Sequence, residues 1–257
     1  MSDSKVLASP PGECCTKTVQ HSGTAVGVFE DLNGVNTYVS YPPTRQERYR
    51  RIIFFFADVF GPMYINNQLI MDYFASKAGY LILGPDYFEG DFVFHHYGVE
   101  PDFDLGKWVG PKREKAYQLV PTFVDAAKAK FGTTETKYAA VGYCFGGPDV
   151  LGLTATDWLA AGAIAHPAML DEDHFANSKR PLFLSCAETD HTFPTDSRHR
   201  SEELLRDSAF KPEYHFQVFA RVAHGFAIRG NPDVPHERWA KEQSANSIIG
   251  WFDRFCN

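Results

Sequence analysis

An unbroken run of mostly apolar side chains at residues 51–59, RIIFFFADV, constrains the fold more than any other stretch of the sequence. A strand with one solvated face alternates apolar and polar residues, whereas a continuous apolar run is typical of a strand buried on both faces. Such strands occur in parallel sheets that carry helices on each side. The sequence therefore predicts a doubly covered strand here.

Strand-like and helix-like patterns alternate along most of the chain, and Asn33-Gly34 between two β-rich runs is typical of a hairpin turn. Further strand candidates are residues 80–88, 137–143, 160–167, 181–188 and 213–220. Helix candidates lie within residues 64–80 with a stop at Gly79, at 112–131 with a kink or boundary at Pro121, from about 145, at 197–207 and at 236–255. This alternation predicts an α/β fold with a mostly parallel sheet and an irregular connection at 88–111.

Composition argues against several classes of protein. The 257 residues carry a formal net charge of −7, which does not suit a general nucleic-acid surface. No apolar run approaches the roughly 18 residues that a membrane helix needs, and the N-terminus shows no apolar signal segment. The sequence predicts a cytoplasmic enzyme or binding protein with neither a nucleic-acid nor a membrane partner.

The cysteines point to free thiols. Five is an odd number, which argues against a complete disulfide framework, and free thiols fit a reducing compartment. No C-x-x-C pair or zinc spacing is present, so we expect no metal and no cofactor. We interpret the adjacent Cys14 and Cys15 as a surface or loop pair without a catalytic role, and Cys186 as a core thiol.

The sequence G-x-C-x-G at residues 142–146 lies between a predicted strand and a predicted helix. The nucleophile elbow of many hydrolases is G-x-S-x-G in the same setting, so Cys144 occupies the place of the serine. At the start of a helix, the local dipole and free N–H groups favour an anion and lower a thiol pKa. The N–H of Phe145 is placed to face an oxyanion.

Two downstream residues complete a nucleophile, acid and base in chain order. Asp190 follows the predicted strand at 181–188, and His224 follows the one at 213–220. In folds with this elbow, the acid and the histidine each follow a later strand. Alternatives remain open: Asp190 could be a helix cap, Glu188 could be the acid, and His224 could be an ordinary loop histidine.

Four stretches together resemble the dienelactone hydrolase family of α/β-hydrolases, most closely its fungal and eukaryotic branch. They are ADVFGP (57–62), GYCFGG (142–147), ETDHTFP (188–194) and AHGFAIRG (223–230). The resemblance extends over about residues 24–256. It implies an α/β-hydrolase fold, which we assign to residues 24–257 after an N-terminal loop segment at 1–23.

The resemblance also implies roles for individual residues. Cys144 would be the nucleophile, His224 the base that passes a proton to the leaving group, and Asp190 the carboxylate that fixes the histidine tautomer. The oxyanion hole would consist of the N–H groups of Phe145 and Val59.

Other residues depart from the family pattern or match it loosely. Asp58 stands where the family has a glutamate beside the thiol, and it could equally be a strand-end carboxylate that caps the next helix. Ile228 fills the slot of a family arginine that holds a substrate carboxylate, with Arg229 one position later. Arg113 is a candidate for a second such arginine, and Tyr87 is a candidate for the substrate pocket.

The predicted activity is hydrolysis of small lactones or esters through a Cys-His-Asp triad and an acyl-thioester intermediate. Two alternatives stay open. The first is a non-catalytic α/β-hydrolase-fold protein that binds a small ligand. The second is a redox sensor that uses the Cys144 thiol, with Cys186 as a possible neighbour in space. The substrate and the choice between monomer and homodimer stay open.

Overall fold

An eight-stranded sheet forms the centre of the computed structural model, which describes residues 4–257. The strands in chain order are β1 (Val6–Ala8), β2 (Val28–Leu32), β3 (Val35–Ser40), β4 (Arg51–Phe56), β5 (Leu81–Pro85), β6 (Lys137–Tyr143), β7 (Ala161–Ala165), β8 (Leu170–Asp171), β9 (Leu182–Thr189) and β10 (Tyr214–Ala223). The order across the main sheet is β10-β9-β7-β6-β4-β5-β3-β2, and β1 pairs with β8 in a separate two-stranded sheet. From β10 to β5 all neighbours are parallel, which confirms the predicted mostly parallel sheet.

The hairpin predicted at Asn33-Gly34 joins β2 to β3. Both turn residues have positive φ, 57° for Asn33 and 81° for Gly34. A two-residue turn with positive φ at both positions matches the right-handed twist of the flanking strands. The antiparallel pairing of β2 with β3 and of β3 with β5 forms one edge of the sheet.

Helices cover the sheet on both faces. They are α1 (Ile65–Ala78), α2 (Leu105–Phe131), α3 (Gly147–Thr154), α4 (Glu172–Ala176), α5 (Thr195–Asp207), α6 (Phe226–Arg229) and α7 (Pro235–Cys256). Helices α1, α6 and α7 bury apolar residues in one core, and α2 to α5 bury theirs in the other. None of the helices within the described residues has the length and apolar character needed to cross a bilayer.

Strand β4 contributes to both cores, as its continuous apolar run predicts. Ile53 and Phe55 belong to the core on the α1 side, whereas Phe54 and Phe56 belong to the core on the α2 side. Successive side chains of a strand point to opposite faces, so a strand buried on both faces needs an apolar residue at every position.

Helix α2 begins seven residues earlier than the sequence predicted. The side chain of Asp104 accepts a hydrogen bond from the N–H of Lys107, which is the contact of a helix N-cap. The helix then continues through Pro111 and Pro121, so Pro121 is not the boundary that the sequence offered as one option. The free energy gained by packing α2 against the sheet therefore outweighs the cost of the two prolines inside the helix.

The N-terminal residues are packed into the domain. Leu7 and Cys15 are buried in the core on the α2 side, and a short 3₁₀ helix runs over Glu13–Thr16. The N–H of Ser9 donates to the carbonyl of Thr192 at 2.8 Å. The proposed boundary at residue 23 stays a prediction, but the stretch before it brings two cysteines to the edge of the sheet.

Candidate active site

Four of the candidate residues come together where parallel strands end. Asp58 follows β4, Cys144 follows β6, Asp190 follows β9 and His224 follows β10. The carboxyl ends of parallel strands meet at one edge, where α/β proteins bind their ligands. All four side chains are buried, with Asp58 and Cys144 at 0% exposure. Sequence order alone therefore places these residues at a common edge.

The turn that carries Cys144 has a strained backbone. Cys144 has a φ of 49°, a left-handed value that is unusual for a residue with a side chain and costs roughly 1–3 kcal/mol. It opens a 3₁₀ helix, Cys144–Gly146, that leads directly into α3. Observed strain of this kind is typical of functional turns, because surrounding packing must hold it in place.

The two glycines of the motif are required by close packing. A Cβ atom on Gly142 would lie 2.4 Å from the carbonyl oxygen of Gly146, and one on Gly146 would lie 2.2 Å from that of Phe56. Both obstacles are backbone atoms, which cannot rotate away as a flexible side chain could. The glycines therefore allow the turn to lie against the end of β4.

We expect Gly146→Ala to lower the free energy of unfolding by about 3 kcal/mol, because the added methyl group overpacks against backbone. For a chain of this size, each kcal/mol corresponds to about 2–4 °C in Tm. The matched control is Gly152→Ala in α3, where an added Cβ meets nothing within 4 Å. Thermal unfolding should separate the two variants, and equal Tm values would contradict this packing argument.

His224 and Asp190 form a buried pair with a third partner. The Nδ1 atom of His224 lies 2.9 Å from Oδ1 and 3.1 Å from Oδ2 of Asp190, and 2.9 Å from the Thr192 hydroxyl. That hydroxyl also donates to Asp190 Oδ1 at 2.7 Å. The ring is thus held through Nδ1, which directs Nε2 away from the carboxylate.

The contact between His224 and Asp190 shifts the pKa of both side chains. Burial opposes a positive charge on His224, but its hydrogen bond to Asp190 and its contact with Cys15 outweigh burial and raise its pKa to about 10. Burial likewise opposes a negative charge on Asp190, yet the hydrogen bonds from His224 and Thr192 hold its pKa below the usual range. A buried imidazolium–carboxylate pair therefore lies at the edge of the sheet.

The free nitrogen of His224 faces two thiols. One ring nitrogen of His224, Cys144 Sγ and Cys15 Sγ all lie within 4.8 Å of one another. Within residues 4–257, Nε2 has no hydrogen-bond partner of good geometry. The ring of His166, which follows β7 and is also fully buried, packs edge-on at 4.9 Å between ring centroids. The histidine ring is thus fixed on one side by packing and on the other by Asp190.

Cys14 and Cys15, interpreted from sequence as a surface or loop pair without a catalytic role, lie against the candidate site, and the absence of a catalytic role stays a prediction. The Sγ atom of Cys144 lies 3.6 Å from that of Cys15, which lies 3.5 Å from that of Cys14. Cys14 Sγ in turn lies 2.7 Å from Nε2 of His191. The row runs from partly exposed Cys14 to buried Cys144, and its contact between Cys15 and Cys144 joins residues 129 positions apart. No local pattern in the sequence signals this contact.

The two N-terminal thiols resist ionisation. The hydrogen bond with Cys15 and burial raise the pKa of Cys14 far above its ordinary value. For Cys15, the bond with Cys14 lowers the pKa, but the bond from Cys144 and burial outweigh it, so its pKa is also raised. Both side chains therefore remain thiols at neutral pH.

Two overlapping groups of side chains in this row have ligand atoms close enough to hold one soft metal ion. Cys14, Cys15 and His191 form one group, and Cys15, Cys144 and His224 form the other, each with its ligand atoms within 4.8 Å. The expected absence of a metal stays a prediction. The protonated thiols of Cys14 and Cys15 and a protonated His224 are poor ligands, since a metal needs thiolate sulfur and neutral imidazole.

Asp58 is occupied by partners other than Cys144. Its Oδ1 atom accepts hydrogen bonds from the side-chain amide of Asn67 at 3.0 Å and from the N–H of Phe60 at 3.2 Å. Its Oδ2 atom forms a buried ion pair with Arg229. Asp58 thus lies at the end of β4 but does not cap α1, since the N-cap residue of that helix, Tyr64, has no side-chain cap. The proposed influence of Asp58 on the thiol stays a prediction.

Arg229 faces the site despite its one-residue offset from the family position. Besides its pair with Asp58, its Nε donates to the carbonyl of Lys17 at 3.1 Å. Its Nη2 atom is buried and has no hydrogen-bond partner in the described part of the chain. Arg229 and His224 both line a cavity of about 520 Å³, together with Cys14 and Lys17. A residue that lines the cavity thus carries a buried guanidinium N–H without a hydrogen-bond partner.

Two further candidates, Arg113 and Tyr87, contact residues around the turn that carries Cys144. Nη1 of Arg113 donates to the carbonyl of Phe145 at 2.9 Å, and its Nη2 pairs with buried Asp149. Arg113 is therefore engaged with the turn and α3. The Tyr87 hydroxyl donates to the carbonyl of Ala57, and its ring packs 5.4 Å from that of Phe145. Among the described residues, Tyr87 does not line the cavity, so its role in substrate binding stays a prediction.

The two candidate oxyanion donors follow neighbouring strands. Phe145 lies in the first turn of a helix, where N–H groups have no partner within the helix. Val59 lies just beyond β4, which pairs with β6 in parallel register up to Phe56 and Gly142. Their role as an oxyanion hole stays a prediction, consistent with their positions next to Cys144.

Comparisons with known proteins agree with this fold. Residues 35–256 match the model of the dienelactone hydrolase family. The chain is 37% identical to "Dienlactone hydrolase 1" of Gibberella moniliformis, over 96% of this chain and 95% of that protein. It is 32% identical to "Hydrolase tropI" of Talaromyces stipitatus, over 97% of this chain and 98% of that protein.

A solved structure extends the match to three dimensions. A putative dienelactone hydrolase from Klebsiella pneumoniae superposes with a TM-score of 0.69 at 15% identity, covering 90% of this chain and 99% of that one. Similarity at this identity supports the shared α/β-hydrolase fold. Together with the family match over most of the chain, it confirms the resemblance seen in the four motifs. The chain belongs to the dienelactone hydrolase family of carboxylic ester hydrolases.

Proposed function

We propose that this enzyme cleaves small esters or lactones with Cys144 as nucleophile, His224 as proton carrier and Asp190 as its orienting carboxylate. The observation that carries the proposal is the convergence of a strained cysteine turn with a buried His224–Asp190 pair. A ring nitrogen of His224 and Cys144 Sγ lie within 4.8 Å, and Asp190 orients the ring through Nδ1. This is the geometry of a nucleophile, a base and an orienting group.

Acylation begins from a Cys144 thiolate beside the His224 imidazolium. The thiolate attacks the substrate carbonyl, and the oxyanion accepts hydrogen bonds from Phe145 N–H and Val59 N–H. When the tetrahedral intermediate collapses, the C–O bond breaks and the leaving alkoxide takes the proton from His224 Nε2. The products of this half-reaction are an alcohol and an acyl-thioester on Cys144; for a lactone, both groups remain in one molecule.

Deacylation reverses the proton transfer. Neutral His224 removes a proton from water as the oxygen attacks the thioester carbonyl. Collapse breaks the C–S bond, releases the carboxylic acid and returns the sulfur as a thiolate beside the imidazolium. Asp190 stabilises that imidazolium at both stages, which is consistent with the raised pKa of His224.

Substrate access requires a displacement near the N-terminus. Cys144 and Cys15 are both at 0% exposure, and the cavity reaches His224 and Cys14 but not Cys144, as judged over the described residues. The Cys15 side chain lies against the Cys144 sulfur, at the position where a reacting carbonyl would have to approach. We therefore propose that the 3₁₀ helix Glu13–Thr16 shifts when substrate binds.

The cavity favours a substrate with a carboxylate. Lys17, Arg221 and Arg229 line it against a single lining acid, Glu237. The unpartnered Nη2 of Arg229 offers a buried N–H donor close to His224. Hydrogen bonds between charged partners are worth more than neutral ones. We therefore propose an anionic ester or lactone as the preferred substrate class.

Removing the guanidinium should reduce this preference selectively. We expect the double variant Asp58→Asn/Arg229→Gln to lose about 10- to 100-fold in kcat/KM for a p-nitrophenyl ester with a terminal carboxylate, because a charged hydrogen bond contributes about 1.5–3 kcal/mol. A neutral p-nitrophenyl ester of equal chain length should change much less. Replacing both Asp58 and Arg229 avoids leaving one buried charge without its partner. The single variant Asp58→Asn is the control, and an equal loss for both esters would contradict anion recognition by Arg229.

The acyl-thioester can be detected directly. Wild-type enzyme is mixed with p-nitrophenyl acetate, quenched in acid within the first turnovers, and digested for mass spectrometry. The proposal expects one acetyl group on the peptide that contains Cys144, removable by hydroxylamine. Acetylation confined to other residues, or its absence from Cys144 under turnover, would overturn it. The non-catalytic ligand binder would show neither turnover nor acetylation.

The cellular setting is part of the proposal. All five cysteines are free, which fits a reducing, cytoplasmic environment. The partner we propose is a small-molecule ester or lactone, with no nucleic acid and no membrane, and the enzyme acts as a monomer or homodimer.

A further inference from the structure

The sulfur atoms of Cys14, Cys15 and Cys144 form a row, and the proposed hydrolysis uses only the sulfur of Cys144. Hydrolysis needs the thiol of Cys144, yet the Cys15 sulfur lies 3.6 Å away in a position completely shielded from solvent. A disulfide bond is about 2.05 Å long, so bond formation needs the two sulfurs to approach by only about 1.6 Å. Two buried thiols this close, one of them on a reactive turn, have the arrangement of a peroxidatic and a resolving cysteine.

Cys15 is a better partner for Cys144 than for its neighbour Cys14. Adjacent Cα atoms are about 3.8 Å apart, whereas disulfides span about 4.4–6.8 Å between Cα atoms. A bond between Cys14 and Cys15 would therefore strain the backbone. Cys186 was the neighbour suggested by sequence, but the recorded sulfur contact of Cys144 within residues 4–257 is with Cys15.

We propose that Cys15 is the resolving thiol of a reversible Cys15–Cys144 disulfide, which forms when a hydroperoxide oxidises Cys144 and which closes the active site. The inference rests on the reactivity assigned to Cys144 in the proposed function and adds a modification site to it. The disulfide would remove the nucleophile and fix the Glu13–Thr16 helix over the position that a substrate must occupy.

The chemistry balances with a hydroperoxide as the two-electron oxidant. The Cys144 thiolate attacks the peroxide, the O–O bond breaks, and the displaced oxygen takes a proton to leave as alcohol or water. Cys144 then carries a sulfenic acid. The sulfur of Cys15 displaces the hydroxyl group, the S–S bond forms, and the thiol proton leaves with the hydroxyl as water. A thiol reductant later returns both cysteines with two electrons and two protons.

The surroundings supply the groups that this sequence needs. A ring nitrogen of His224 lies within 4.8 Å of both sulfurs, so the imidazole can carry the proton from Cys15 to the departing hydroxyl. The cavity reaches Cys14, the next sulfur in the row, but not Cys144, so a hydroperoxide reaches Cys144 through the same shift of the Glu13–Thr16 helix that a substrate needs. The segment is also tied to the site by the bond from Arg229 Nε to the Lys17 carbonyl. Formation of the bond between Cys15 and Cys144 therefore needs only a small movement of this segment.

The cross-link is tested by mass spectrometry, without reference to turnover. Purified enzyme is treated with equimolar hydrogen peroxide, alkylated and digested without reductant. The proposal expects a peptide pair joining Cys15 to Cys144, and activity lost to peroxide should return with dithiothreitol. In Cys15→Ser, the cross-link should be absent and Cys144 should progress to sulfinic or sulfonic acid, so that dithiothreitol restores little activity. Cys14→Ser should keep the cross-link.

The outcomes distinguish this proposal from the hydrolase mechanism. A cross-link in an enzyme that never becomes acetylated would support the disulfide and oppose the thioester. Acetylation of Cys144 without any cross-link would support the thioester and oppose the disulfide. A peroxide-treated Cys15→Ser that recovers as fully as wild type, or a dominant Cys14–Cys15 bond, would overturn the resolving role. Thermal unfolding of untreated Cys15→Ser checks that the variant is folded.

Discussion

Cys144→Ala should lower kcat/KM for ester hydrolysis by about 10⁴-fold or more, since removal of a covalent nucleophile leaves only binding and oxyanion stabilisation. In the proposed mechanism, the thiolate provides the bond that splits hydrolysis into two easier steps, and neither His224 nor water can replace it within the same geometry. The loss should appear in kcat, because the cavity proposed to bind substrate is lined by other residues.

Two variants make the interpretation specific. Cys256→Ala removes another buried thiol in the last turn of α7, and we expect its activity to remain close to wild type. Cys144→Ser keeps a nucleophilic atom but replaces a thiol by a far weaker acid, so residual activity well below wild type is expected. Steady-state assays with p-nitrophenyl esters measure all three. Substantial turnover by Cys144→Ala, with Cys144 absent, would remove the cysteine from the mechanism.

The elements that could be predicted from sequence are those set by local patterns. The strand over residues 51–56 is apolar at every position because both of its faces are covered, and the turn at Asn33-Gly34 shows its backbone preference in its residue types. Residues that follow parallel strands reach a common edge through topology alone, which brought Asp190 and His224 to the Cys144 turn.

Contacts that depend on tertiary packing could not be predicted in this way. Cys15 lies in a short 3₁₀ helix without a periodic pattern, and only the packing of the N-terminal segment into the domain brings it to Cys144. The ion pair between Asp58 and Arg229 likewise depends on tertiary packing. Arg229 lies one residue after the family's slot, and the short helix Phe226–Arg229 places it against Asp58 and the cavity.

Glu188 was the open alternative to Asp190, and the structure separates the two by environment. Glu188 is exposed, and its Oε2 accepts a hydrogen bond from the N–H of Arg221 at 2.8 Å. Asp190 is buried and lies 2.9 Å from the ring of His224. Proximity to the histidine and exclusion of water favour Asp190 as the orienting acid, because a buried charge interacts more strongly than an exposed one.

Asp190→Asn should lower kcat by about 10³- to 10⁴-fold, close to the effect of the same change in a serine triad. An amide can donate to Nδ1 and so favour the wrong tautomer of His224, and it no longer stabilises the imidazolium. Because Asp190 is the principal group that raises the pKa of His224 to about 10, this pKa should fall in the variant. Titration of the imidazole by NMR measures that shift, and Glu188→Gln is the matched control.

The same pair makes stability depend on pH in a defined direction. The pKa of His224 rises from an ordinary 6.5 to about 10 on folding, so the folded state holds a proton that the unfolded state releases between these values. The stabilising contribution of His224 is therefore complete below pH 6.5 and is lost as the pH rises toward 10. Denaturant unfolding at several pH values should show this decline in wild type and a weaker one in Asp190→Asn. An unchanged pH dependence, together with wild-type kcat, would contradict the coupling of Asp190 to His224 on which the mechanism depends.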